Sequence, residues 1–545
     1  MTDISLVNIK KNYGFNNVLD NFNLEINKGE KIGLVGANGC GKSTLFKIIT
    51  GEENVNFGTV AIRNGAKIGK LSQIAPNLDE ETTVFDFLKE KFKDIIKIEV
   101  NLKELEEKMS VANGKELEKI LDKYCKLQQK FIDLDGYTIS SKINEICNRF
   151  GIDNKMLNRK FNLLSGGEKT LVQFASIMLL EPDILLLDEP TNNLDIKTLE
   201  WLENYLSSYS GTIIMSSHDR YFLDKVTNKI VLIERGKEEI FFGNYTYYLE
   251  ENERRILNEF EDYKDQQKKI EAMKKKIKQL QEFGRLAFPG GEPFFRRAAS
   301  IQKRLDKLEL LDKPLEKKEL PINFQMKNRS GKQVLTVKNL DLSVYDKKLL
   351  SQSSFNILFK ERICIMGKNG CGKSTLINYI MELYNNKREN ENVKIGSNVL
   401  IGYIPQNIIF EDNNKTILET ARNYYSGSET HLRASLAKFM FNSQDVFKRV
   451  GTLSGGEKVR LKLFELIQQN VNFIIMDEPT NHIDIVTKEV LENALNEYLG
   501  TILFISHDRY FINKLAKKIL YLEDKKVHEY LGNYDDYKEK MILRK

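Results

Sequence analysis

The six residues Leu164-Ser165-Gly166-Gly167-Glu168-Lys169 recur as Leu453-Ser454-Gly455-Gly456-Glu457-Lys458, and each copy leads into a strand-like apolar run ending in Asp-Glu-Pro-Thr-Asn. A Gly-rich loop precedes each copy, so the parts come in one order in both halves, and such repetition constrains architecture before any local reading. The halves align by subtraction: Gly36 and Gly367 differ by about 331, Gln73 and Gln406 by about 333, and Ser165 and Ser454 by about 289. Beyond that point the spacing holds for Glu189 and Glu478, His218 and His507, and Asn244 and Asn533. The first half therefore carries about 44 extra residues between Gln73 and Ser165. Two α/β domains in tandem are expected, with an insert in the first.

A chain of 545 residues with 41% hydrophobic content can fill about three or four domains with buried cores. Its longest apolar patches, such as Ile184-Leu185-Leu186-Leu187 and Phe473-Ile474-Ile475-Met476, have strand length, which argues against a membrane span. The opening Met1-Thr2-Asp3-Ile4-Ser5 has no basic stretch followed by an apolar segment, so no secretory signal is expected. Five cysteines, Cys40, Cys125, Cys147, Cys364 and Cys371, lack metal-ligand spacing, and their odd number argues against a disulfide framework; a reducing cytoplasm fits. The net charge of +6 hides an uneven distribution: Lys264 to Arg304 holds twelve Lys and Arg against four Asp and Glu, leaving the remainder slightly acidic.

The inserted region, about 85–137, reads as a helical hairpin. Leu102, Leu105 and Met109 on one side, and Leu117, Ile120, Leu121, Tyr124, Leu127 and Phe131 on the other, keep helical spacing around turn residues Val111-Ala112-Asn113-Gly114. A second unrepeated segment lies between the halves. Leu249, Ile256, Tyr263, Ile270 and Ile277 fall seven apart, with Phe260, Met273 and Leu280 as companions, predicting a long helix with a coiled-coil seam that stops at Phe283-Gly284. After Phe288-Pro289-Gly290-Gly291-Glu292-Pro293 a second helix is expected from about Phe294 to Leu311. The domains are then 1–249, 250–325 and 326–545.

Gly36-Ala37-Asn38-Gly39-Cys40-Gly41-Lys42-Ser43-Thr44 and Gly367-Lys368-Asn369-Gly370-Cys371-Gly372-Lys373-Ser374-Thr375 each follow a β-rich segment and open a helix, the context of a Walker A phosphate loop. Glycines let consecutive N–H groups face phosphates, Lys42 or Lys373 reaches the β and γ phosphates, and Ser43 or Ser374 holds Mg2+. Asp188 and Asp477, ending apolar strands, would complete the magnesium site, and Glu189 and Glu478 are placed to polarise the attacking water. His218 and His507 follow a further apolar strand and are candidates to contact the same phosphate, their matched placement favouring this over the alternative of a structural histidine. Gln73 and Gln406, in strand-to-loop positions, would sense magnesium. Ser165, Gly166, Gly167 and Glu168, like Ser454, Gly455, Gly456 and Glu457, open helices suited to an anion; since each half has its own phosphate loop, each signature is expected to serve the other half's ATP. Tyr13 and Tyr345 are candidates to stack on adenine, with a core tyrosine as the alternative. Cys40 and Cys371 read as small residues tolerated in the loops.

The signature, Walker motifs and paired histidines make the chain resemble the ATP-binding cassette superfamily over both halves. More narrowly it resembles the ABC-F subfamily of tandem cassettes that act on ribosomes: it repeats Ser-His-Asp-Arg-Tyr-Phe, inserts a hairpin only in the first cassette, joins the cassettes by a charged helical linker, and closes them with Gly243-Asn244-Tyr245 and Gly532-Asn533-Tyr534. The resemblance implies an ATPase using ATP and Mg2+, with an intramolecular cassette dimer in a monomeric chain. It implies binding at the ribosomal E site on the large subunit, the linker reaching P-site tRNA, 23S rRNA and the peptidyl-transferase centre. Lys268, Lys269, Lys274, Lys275, Lys276, Lys278, Arg285, Arg296, Arg297, Lys303 and Arg304 would meet phosphates, and Phe288, Phe294 and Phe295 would stack or wedge on RNA. The alternatives are a solvated coiled coil for the basic run and mutual packing for the aromatics. One departure is Asn193 where the second half has His482. Protection of ribosomes from antibiotics, favoured by the long tip, competes with a housekeeping translation role. An ATPase serving a membrane transporter and a DNA-binding ATPase are the other classes.

Overall fold

A computed structural model describes residues 1–14, 16–71, 79–110, 112–192, 194–287, 289–308, 310–311, 329–344, 347–388, 390–442, 444–481 and 483–543. The chain divides into two units, one made of Met1–Asn244 with Pro321–Lys545 and the other of Tyr245–Leu320.

In the first unit each half builds a six-stranded sheet. The order in the first half is Ile68–Leu71, Ile184–Asp188, Thr212–Ser216, Lys31–Val35, Lys229–Glu234 and Lys237–Phe241; in the second it is Ile401–Ile404, Phe473–Asp477, Thr501–Ile505, Arg362–Gly367, Lys518–Glu523 and Lys526–Leu531. All neighbours are parallel except the last pair. Parallel strands are covered on both faces, which is why Ile184–Leu187 and Phe473–Met476 are unbroken apolar runs with no exposed surface. Each such side chain contributes roughly 1.5–3 kcal/mol by leaving water. A three-stranded antiparallel sheet, Asn16–Asn27, Thr2–Tyr13 and Phe57–Ile62 or its counterpart Lys347–Leu358, Gln333–Val344 and Val393–Ile395, completes each half. Leu45, Phe46, Ile48 and Ile49 of the helix Lys42–Ile49 share one core with Leu6 and Phe22 of the small sheet and Leu34 and Leu186 of the large one.

The topology decides where chemistry can sit. Strands Ile184–Asp188, Thr212–Ser216 and Lys31–Val35 are adjacent and parallel, so their three C-terminal ends share one edge. In open α/β sheets that edge is where ligands bind.

The insert forms helices Lys93–Met109 and Lys115–Asp133, closed over Ile98, Leu102 and Phe131 with Tyr124 and Leu127 against them. Leu121, expected on this seam, is instead 40% exposed. In the second half Ile417–Arg422 and Glu429–Lys438, the counterparts of Val84–Lys89 and Ile139–Arg149, follow one another with no such hairpin between them among the described residues.

The second unit is a helical hairpin, Tyr245–Leu286 followed by Glu292–Asp306. The long helix starts before Glu250 and runs through Phe283-Gly284 to Leu286. A Cβ on Gly291 would lie 2.0 Å from the Gly284 carbonyl oxygen, so both glycines serve the close crossing of two backbones rather than helix termination. Glu292-Pro293, expected to be non-helical, begins the second helix, because proline is tolerated in a first turn whose N–H groups have no acceptor. That helix ends at Asp306, short of Leu311. Ile270 and Ile277 of the long helix and Ala298 of the second are buried on the seam.

Candidate nucleotide sites

Gly36, Gly39 and Gly41 have φ of 155°, 80° and 110°, and Gly367, Gly370 and Gly372 have 153°, 75° and 106°, all costly for a side-chain-bearing residue. A Cβ on Gly36 would also meet the Ile233 carbonyl oxygen at 2.6 Å. Cys40 and Cys371 fold back against Gly36 and Gly367, and burial raises both thiol pKa values, which suits a packing role. Lys42 Nζ donates to the carbonyls of Gly36 at 2.7 Å and Ala37 at 3.2 Å; Lys373 Nζ donates to Gly367 at 2.9 Å and Lys368 at 3.2 Å. Each ammonium thus lies across its own loop, where phosphate oxygens would arrive. Asn38 is exposed at the first loop's tip, and Thr44 and Thr375 are half-buried in the first helical turns.

Ser43 Oγ donates to Asp188 Oδ2 at 2.9 Å, and Ser216 Oγ donates to Asp188 Oδ1 at 2.7 Å. Ser374 bonds Asp477 in the second site, but Ile505 stands where Ser216 would be, and Asp477 Oδ1 is buried without a partner. A hydroxyl beside a carboxylate is an oxygen donor set suited to Mg2+. Among the described residues no cluster of three or more His, Cys, Asp or Glu could hold a metal, so the remaining ligands would come from phosphate and water.

Glu189 and Glu478, one residue beyond the strands, have φ of 51° and 49°. A non-glycine residue in this left-handed region is strained, and strain of this kind clusters at functional sites. Glu189 N–H is held by the Ser216 carbonyl at 3.0 Å and Glu478 N–H by that of Ile505 at 3.0 Å. His218 donates its backbone N–H to Glu189 Oε2 at 3.2 Å, with its Nε2 3.5 Å from Oε1; His507 Nε2 is 3.3 Å from Glu478 Oε1. Burial pushes both carboxyls up to about 7 against the pull of Lys42 or Lys373. A carboxyl poised there can take a proton from water near neutral pH. Burial, then the nearby Lys373, holds His507 down at about 3, so it is a neutral imidazole.

Ser165 and Ser454 do more than precede their helices. Each serine Oγ accepts the N–H three residues on, and each serine N–H donates to Glu168 or Glu457 at 2.8 Å, forming reciprocal capping boxes. Arg159 at 3.0 Å and Lys448 at 3.2 Å pin those glutamates. The Ser-x-x-Glu spacing was the signal for this. Gly166 and Gly167, with Gly455 and Gly456, supply first-turn N–H groups that have no intrahelical acceptor.

The halves meet through the loops after the two strands. The Asp195 carboxylate accepts the backbone N–H of Asn369, and that of Asp484 accepts the N–H of Asn38, so each half reaches the other's phosphate loop. Burial alone would raise both carboxyls; the hydrogen bonds, led by those from Thr198 and Thr487, hold them below the usual range. Arg509 donates twice to Glu203, with Nη1 at 3.1 Å, and lies 3.6 Å from Asp219; Arg220 is 3.3 Å from Glu492. Arg220 also lies 4.5 Å from the Tyr510 ring centroid, and Arg509 4.7 Å from that of Tyr221. The contacts recur with the halves exchanged, the offset being about 289 residues for the Asp, Glu, Arg and Tyr positions and about 331 for Asn38 and Asn369, the mark of an isologous contact. Sequence reasoning missed these residues because a crossing between domains leaves no local pattern.

Tyr13 is 47% exposed, not a core residue; its hydroxyl donates to Glu53 and neighbours Thr44, and Lys11 lies 5.2 Å from its ring centroid. Gln406 is exposed just after the strand Ile401–Ile404. Gln73, Tyr345, Phe288, Asn193 and His482 lie outside the described residues. In the hairpin unit Lys274, Lys275, Lys276, Lys278, Arg285, Arg296, Arg297, Lys303 and Arg304 are exposed. Phe294 packs on Phe283 with centroids 6.2 Å apart, while Phe295 is 43% exposed. Among the described residues no helix is long and apolar enough to cross a membrane.

Residues 19–192 and 350–481 match the ABC transporter family, and residues 231–324 match an extension also described as ABC transporter. ABC transporter F family member 5 of Arabidopsis thaliana is 36% identical over 99% of this chain and 78% of its own length. The energy-dependent translational throttle protein EttA of Escherichia coli (strain K12) is 33% identical over 96% of this chain and 92% of its own length. A solved structure titled RNase-L Inhibitor shares the fold with a TM-score of 0.62 at 17% identity, covering 98% of this chain and 92% of that one. With two complete phosphate loops, two poised carboxyls and full-length relatives, the chain belongs to the ABC-F family of ATP-binding cassette proteins and is an ATPase.

Proposed function

We propose that ATP closes the two cassettes on one another, that the closed protein binds the ribosome, and that hydrolysis releases it. The observation that carries this reading is the full-length likeness, linker included, to a protein named as a translational throttle. In each site the phosphate-loop N–H groups and Lys42 or Lys373 hold the triphosphate, Ser43 with Asp188 or Ser374 with Asp477 holds Mg2+, and the opposite signature, Ser165 to Glu168 or Ser454 to Glu457, caps the γ-phosphate. The magnesium ion supplies charge neutralisation on the phosphates when bound. Glu189 and Glu478 accept the proton of the attacking water, and the neutral imidazole of His507, like His218, contacts the phosphate. Gln73 and Gln406 sense the metal, and Tyr13 and Tyr345 stack on adenine.

The ribosomal contact is assigned to the E site of the large subunit in the cytoplasm. The exposed cations of the linker neutralise 23S rRNA and P-site tRNA phosphates, and Phe288, Phe294 and Phe295 at its tip approach the peptidyl-transferase centre. The throttle relative favours control of translation; a tip spanning Phe283 to Phe295 favours protection against antibiotics as the second reading. Glu189→Gln with Glu478→Gln should pellet with ribosomes in ATP and stay bound, whereas the native protein in ADP should remain in the supernatant. Release of the double variant at the native rate would contradict the proposal. Neutralising Lys274, Lys275, Lys276 and Lys278 should weaken ribosome binding and flatten its salt dependence while leaving ATP affinity unchanged. Growth of a susceptible host with drugs that target the peptidyl-transferase centre separates the two roles: raised tolerance supports protection, and an unchanged drug response supports control of translation.

A further inference from the structure

The cassette interface is built from pairs about 289 residues apart, Asp195 with Asp484, Glu203 with Glu492, His218 with His507, Asp219 with Asp508 and Arg220 with Arg509, and one buried position breaks the rule. Lys488 in the helix Ile485–Glu497 corresponds to Leu199 in Ile196–Ser208. Both are buried, at 5% and 2% exposure, but only one can donate a hydrogen bond. Lys488 Nζ donates to Asp508 Oδ2 at 2.7 Å within its own half and to the His218 carbonyl at 2.8 Å across the interface. His218 is the residue whose N–H and imidazole embrace Glu189.

A buried ammonium is retained only where partners replace its water, and here one partner is a peptide carbonyl of the opposite cassette. That bond fixes the peptide plane following His218, and with it the approach of the imidazole to Glu189 and the γ-phosphate. Leu199 supplies no donor to the corresponding loop of the second site. We infer that Lys488 is a positioning residue supplied in trans by the second cassette to the first ATP site, and that the two sites are unequal in turnover because the second receives no such cross-interface donor, Lys488 there only pairing with Asp508 of its own half. The inference rests on the assignment of Glu189 and Glu478 as the proton acceptors.

Single-site backgrounds test it. Glu478→Gln leaves the first site to turn over and Glu189→Gln leaves the second; hydrolysis by the double variant at near the native rate would refute the assignment itself, before Lys488 is touched. Adding Lys488→Met, which keeps chain length and removes the charge, should lower kcat of the first site roughly tenfold, the worth of one hydrogen bond from a charged donor, with KM little changed. The same substitution should lower the second site's rate several-fold less, because there it removes only the ion pair with Asp508 and no contact to the histidine loop across the interface. Lys488→Arg should restore much of the first site's rate, since it keeps both charge and donors. Equal losses in the two backgrounds, the result of a merely structural lysine or of misfolding, would overturn the inference, as would no loss in either.

Discussion

The two proposed ATP sites agree in the residues assigned to the nucleotide and diverge one layer behind. Lys42 and Lys373 bridge the same carbonyls, and Glu189 and Glu478 share a left-handed backbone within 2° of φ. Behind them, Ser216 supports Asp188 whereas Ile505 leaves Asp477 Oδ1 unpaired, and Lys488 faces the first site where Leu199 sits by the second. The phosphate, the metal and the attacking water demand the same geometry twice. Nothing demands identical supports, so duplication leaves the second layer free to set different rates.

The largest test of that comparison removes the carboxylates. Glu189→Gln and Glu478→Gln together should lower steady-state ATPase by about 10²–10⁴-fold, as loss of a general base does, while equilibrium binding of a fluorescent ATP analogue persists. The single variants should retain unequal rates; equal residual rates would break the claim of unlike supports. Next in size is the interface. Arg509→Met takes two hydrogen bonds from Glu203, which keeps Lys225 at 3.3 Å, and Arg220→Met leaves Glu492 with Lys514 at 3.0 Å. Each should destabilise by about 1.5–3 kcal/mol, with Arg509→Met the worse in chemical denaturation. The smallest effect sharpens the comparison most. Ser216→Ala takes from Asp188 the donor that Asp477 Oδ1 already lacks, and should lower the unfolding free energy by about 1 kcal/mol.

Much of the site was legible because the chemistry is local. A phosphate loop, a strand ending in Asp-Glu and a following histidine each occupy a contiguous segment, and repetition at a fixed offset removed coincidence. The hairpin seams were legible for the same reason, through Ile270 and Ile277 in one and Leu102 and Phe131 in the other. Element ends were less so. Gly284 reads as a stop from its own propensity, yet a helix tolerates glycine at about 1 kcal/mol and the close approach of Gly291 decides the matter. The crossings of Asp195, Asp484, Arg220, Arg509 and Lys488 could not be read at all, since their partners lie in the other half and depend on how two domains dock. The backbone strain at Glu189 and Glu478 is likewise a property of the docked loop, not of the residue type.

The central claim is that each signature serves the opposite phosphate loop. In the Glu478→Gln background, where only the first site turns over, Ser454→Arg should abolish the remaining ATPase and Ser165→Arg should largely spare it. The reverse pattern, loss with Ser165→Arg and survival with Ser454→Arg, would show that each half works with its own signature and would contradict the account.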